Sequence, residues 1–91
     1  LASPDTASQE GMMAQGLDLL YKQNNAPAAV AQFRAVLRRN PTHYGATYQI
    51  ATALERSGQL AQARQMWQAV LGMATQFKDE RVIATAREHL K

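Results

Sequence analysis

Moved 34 residues along itself, the chain meets its own pattern of apolar and helix-ending residues. Met13 falls on Thr47, Leu17 on Ala51, Leu20 on Leu54 and Asn24 on Gly58. Further along, Ala29 falls on Ala63, Phe33 on Trp67, Ala35 on Ala69, Val36 on Val70 and Leu37 on Leu71. A period of this length fits one helical hairpin, which cannot bury its apolar face alone and must stack on a neighbour. The competing expectation is an unrelated five-helix bundle whose apolar positions coincide by chance.

Local signals divide the same stretch into helices. Residues 1–8, LASPDTAS, lack helical periodicity and read as a flexible tail, with Ser8 as the cap of the first helix. That helix runs from Gln9 to about Gln23 on Met13, Leu17 and Leu20, and Asn24-Asn25 ends it because asparagine tolerates the left-handed conformation. Pro27 suits the first turn of a second helix, which reaches about Arg39 and closes at Asn40-Pro41. A third spans about His43 to Ser57, stopped by Gly58, and a fourth about Leu60 to Thr75. Asp79 caps a fifth, ending near Leu90, with Val82, Ile83, Ala86 and Leu90 on its apolar line. No segment alternates as a strand would, and alanine, leucine, glutamine and arginine all enter helices at little cost. The expected class is therefore all-α.

Ala29 and Ala63 stand where two helices cross closely. Phe33 and Trp67 are large plugs between the helices of a pair, and Val36-Leu37 and Val70-Leu71 face the next unit. With Gly58 and Pro41, this pattern resembles the tetratricopeptide repeat family over about Glu10 to Thr75. The resemblance implies two helix–turn–helix repeats, residues 10–43 and 44–77, and a capping helix, residues 79–90, in one right-handed solenoid domain over 9–91. The first unit departs from the family by placing Leu17 where glycine or alanine is usual, with Gly16 one place early. A one-residue gap would move Gly16 into place but push the polar Gln15 inward, so the ungapped frame is preferred. The second unit lacks the closing proline, having Thr75, and has Thr47 for the usual aromatic.

In that family the first helix of each hairpin lines a concave groove that takes a peptide or a partner helix. The resemblance thus implies a groove of Ala14, Asp18, Tyr21 and Lys22 from the first unit and Tyr48, Thr52, Glu55 and Arg56 from the second. The alternative is a solvated inner surface. Two tyrosines among mixed charges suit recognition, since each offers a rigid apolar face and a polar tip. The paired basic residues with which some relatives clamp a C-terminal carboxylate have no counterpart here.

Nothing in the chain argues for chemistry. There is no cysteine, no glycine-rich phosphate loop and no nucleophile motif. His43 and His89 lack zinc-site spacing, and His43 reads as a helix-start residue. Asp79-Glu80 suit a helix N-terminus, while Glu55 and Glu88 have no evident acidic partner. Arg34, Arg38 and Arg39 form an outer basic patch, read as solvated. The net charge of +3 is small and its basic residues scattered, so nucleic acid is not expected. No apolar run approaches the ~20 residues of a membrane span.

The chain begins at Leu1, which reads as a fragment or processed form. The leading expectation is a non-enzymatic interaction module without cofactor or metal, part of a larger bacterial protein in the cytoplasm or periplasm. Its alternative is a self-assembling unit that stacks copies through Met12 and Met13.

Overall fold

The computed structural model describes residues 4–91. Five α-helices follow one another: α1 Pro4–Leu17, α2 Ala26–Arg39, α3 Tyr44–Arg56, α4 Leu60–Phe77 and α5 Glu80–His89. A π-helical segment, Asp18–Lys22, continues α1. There is no strand among the described residues. Each helix packs on its chain neighbours, α1 on α2, α2 on α3, α3 on α4 and α4 on α5, giving a row of helices of 39 × 29 × 19 Å.

The helix ends follow local chemistry. Asn24 is left-handed (φ 52°), and the Asn25 side chain accepts from Ala28 N at 3.3 Å, with Pro27 in the first turn of α2. His43 Nδ1 accepts from Ala46 N at 3.0 Å, so His43 is the N-cap of α3. Gly58 follows α3 with φ 80°, where a side chain would be strained. Asp79 accepts from Val82 N at 3.3 Å and caps α5. Two ends move from their expected places. Helix α4 runs on to Phe77 and closes on the left-handed Lys78. Helix α1 starts at Pro4 rather than Gln9, because proline has no amide hydrogen to leave unsatisfied in a first turn. Residues 4–8 are therefore helix, not tail, and Ser8 lies within α1; residues 1–3 lie outside the described ones.

The core runs the length of the row. Leu20, Phe33, Val36, Ile50, Leu54, Trp67 and Val70 are its largest fully buried side chains. Alanines at 29, 46, 51, 53, 63, 74 and 86 are also buried, and their small side chains let helix backbones approach. Val82 of α5 and Leu90 just after it pack against this core, so this end of the chain covers apolar surface that α4 would otherwise expose.

The π segment corrects the repeat frame. Here amide hydrogen bonds step back five residues rather than four, as from Gln23 N to Asp18 O at 3.0 Å. This inserts one residue into the first helix. Gly16, not Leu17, is buried, and it lies against the Phe33 ring. Gly16 then corresponds to Ala51 across 35 residues, while Leu20 still corresponds to Leu54 across 34. The objection to this frame does not apply, because Gln15 stays exposed on an open cleft with Ala14, Asp18, Leu19, Gln23 and Gln32.

Candidate groove between the first and third helices

The π turn delivers Tyr21 to the side of α3. Its ring is half exposed (50%), and its hydroxyl donates to Gln49 Oε1 at 3.1 Å. The Arg56 guanidinium carbon lies 4.6 Å from the ring centroid, a cation–π arrangement. One turn before Tyr21, Asp18 faces Lys22 at 3.7 Å and accepts from Gln23 Nε2 at 2.6 Å. Ala14, Leu17, Asp18, Tyr21 and Lys22 line a shallow open cleft of about 440 Å³. Five of the eight groove residues implied by the resemblance (Ala14, Asp18, Tyr21, Lys22 and Arg56) thus lie together on one face.

The other three lie elsewhere or point inward. Tyr48 is half-buried, its ring edge-on to Trp67 at 5.3 Å. Thr52 turns its hydroxyl back to the Tyr48 carbonyl, a bond within α3. Glu55 is occupied by the core: its Oε1 accepts from Trp67 Nε1 at 2.9 Å and is hydrogen-bonded by His89 Nδ1. As a carboxylate Glu55 can only accept, so Nδ1 carries the proton. The His89 ring stacks on Trp67, 4.0 Å between centroids and 10° between planes. This cluster ties α3, α4 and α5 together.

Leu17, Gln49 and His89 are the participants that reading the sequence missed. The first was misplaced by the ungapped frame. Gln49 carries no signal of its own. His89 does, because it follows Glu55 by 34 residues, the length of the repeat. Arg34 and Arg38 are exposed on either side of the half-buried Leu37, as expected, and neither has an acidic partner among the described residues. Met13 packs against the core, and a Cβ at Gly45 would lie 3.6 Å from its Cε. It is therefore not an open stacking surface.

No group of three or more histidine, cysteine or acidic side chains suited to a metal occurs among the described residues. Nor is any described helix long and apolar enough to cross a membrane.

A row of helices sharing one continuous core, with a cleft along the first helix where Tyr21 meets the third, defines a helical-repeat protein. Residues 7–86 match the model of the TT21 fifth ARM repeats domain, and the chain belongs to that family. No curated protein and no solved structure matches it. The family agrees with the sequence reading at the level of class, a helical repeat, and gives the repeat type as ARM.

Proposed function

We propose that this domain is a protein-interaction scaffold of tetratricopeptide-like geometry, without catalysis of its own, that receives a partner peptide or helix in the groove beside Tyr21. The observation that carries the reading is the Tyr21–Arg56 pair at 4.6 Å. It bridges two helices and stands beside an open cleft with apolar walls, and tyrosine and arginine are the residues that most often anchor binding. Neither is needed to fill the core, and holding them in place costs a binding partner less entropy. The tetratricopeptide geometry rests on the paired positions Gly16 and Ala51, Ala29 and Ala63, and Phe33 and Trp67.

Selection from a random peptide library, followed by NMR mapping of the selected peptide, tests it. Shifts are expected at Leu17, Tyr21 and Arg56 and should vanish in Tyr21→Ser. Shifts confined to the outer faces of α2 and α4 would overturn the groove. Tyr48 is unsuitable as a probe, since its ring supports Trp67.

Self-assembly is the second reading, favoured by the exposure of Leu60 (66%) and Phe77 (59%) on α4. Sedimentation over a wide concentration range separates the two, since a monomer throughout would exclude it.

A further inference from the structure

The charges around the groove divide into engaged and free ones. Glu55 is engaged by Trp67 and His89, and Asp18 by Lys22 and Gln23. Arg56 is different: it is exposed, lies over the Tyr21 ring, and has no carboxylate partner among the described residues. A guanidinium laid over an aromatic ring keeps its N–H donors in its own plane, where they fit a carboxylate in a bidentate fork. Tyr21 cannot easily swing away, because its hydroxyl is bonded to Gln49.

We propose, resting on the groove reading above, that the occupant is a short acidic segment of another protein. It seats one aliphatic side chain in the cleft walled by Ala14, Leu17 and Tyr21 and sets a carboxylate on Arg56. Charge fixes the direction. Asp18 lines the cleft one turn before Tyr21 and disfavours an acid there, so the carboxylate lies on the Arg56 side of Tyr21. A basic segment would meet Lys22 and Arg56 without a free acid to receive it. Single-stranded RNA fits less well, since its phosphates would pass Asp18 and find one unpaired arginine rather than a basic track.

The test uses short alanine-based peptides holding one leucine and one glutamate at every separation, with matched sets carrying glutamine or lysine. Binding is followed by fluorescence anisotropy to the wild-type protein and to Tyr21→Ser, Arg56→Gln and Arg56→Glu. The glutamate peptides should bind about two- to fivefold more tightly than the glutamine ones, the range of an exposed ion pair. Arg56→Gln should erase that preference, Arg56→Glu should shift it to lysine, and Tyr21→Ser should abolish binding of every set. All three substitutions are on exposed side chains, and unchanged melting confirms that the variants fold. Tyr21-dependent binding that is equal for glutamate and glutamine overturns the acidic preference while leaving the groove intact. If no peptide binds in a Tyr21-dependent way, the groove reading itself fails. Tyr21-dependent binding of an oligoribonucleotide in place of peptide also overturns the proposal.

Discussion

Gly16 lies so close to Phe33 that a Cβ built on it would fall 2.4 Å from the ring's Cε1 and 2.7 Å from its Cζ. The ring is fully buried and cannot move aside. Gly16→Ala should therefore destabilise the domain although alanine is the better helix former. Overpacking costs about 1–3 kcal/mol and the gain in helix propensity offsets about 1 kcal/mol of it, leaving a net loss of up to roughly 2 kcal/mol. Urea denaturation checks this. Pairing the change with Phe33→Leu should recover part of the loss relative to the sum of the single changes, and strict additivity would deny the contact.

This contact also shows where reading the sequence reaches its limit. Asn24, Pro27, His43, Gly58 and Asp79 could be read correctly because capping and left-handed turns depend on one or two adjacent residues, whereas Asn25 caps α2 rather than ending α1. The π segment could not, since Asp18–Lys22 has no composition that separates it from α-helix. Its only trace was Gly16 standing one place early, and the cost assigned to Gln15 assumed that every helix is covered on both sides. The site divides the same way. The resemblance to tetratricopeptide repeats placed Tyr21 and Arg56 on one face, whereas the inward turn of Glu55 depends on where α5 packs.

Trp67 should be the most costly single truncation. It is buried, edge-on to Tyr48, stacked on His89 and hydrogen-bonded to Glu55. Replacing a buried tryptophan by alanine costs about 3–5 kcal/mol, against a total of roughly 5–13 kcal/mol for a chain of this size. Trp67→Ala should largely unfold the domain. Trp67→Phe keeps most of the volume but leaves Glu55 without that donor, so its melting temperature should fall between the two. A midpoint unchanged in Trp67→Ala would refute the packing described.

Asp79 holds α5 in two ways, through Val82 N and through the Tyr44 hydroxyl at 3.1 Å. Asp79→Ala should cost about 1–2 kcal/mol, mostly from the lost cap. For a domain of this size each kcal/mol lowers the melting temperature by about 4–8 °C. Asp79→Asn keeps a capping oxygen and should lose less. Hydrogen exchange should localise the effect: the amides of α5 lose protection in Asp79→Ala while those of α2 do not. Uniform loss across both helices would show that α5 does not open separately.

Tyr44 links this end of the fold to pH. Its ring stands 5.4 Å from that of Phe77, and its hydroxyl donates to Asp79. Burial, followed by the hydrogen bond and the negative charge of Asp79, pushes its pKa from 10.0 up to about 12. In the unfolded chain Tyr44 loses its proton near the ordinary value, while the folded protein still holds it. Between these limits the folded state binds more protons, so raising the pH favours unfolding. The stabilisation from Tyr44 is complete below pH 10.0 and is lost as the pH rises through about 12. Ultraviolet titration of the folded protein should show a tyrosine step near the upper value that is missing in Tyr44→Phe. In Asp79→Asn the step should move down, because the neutral amide removes the charge that opposes ionisation. Denaturation at several alkaline pH values should show a smaller pH dependence in Tyr44→Phe than in the wild type. Equal slopes would mean that the hydroxyl is not held by Asp79 in solution.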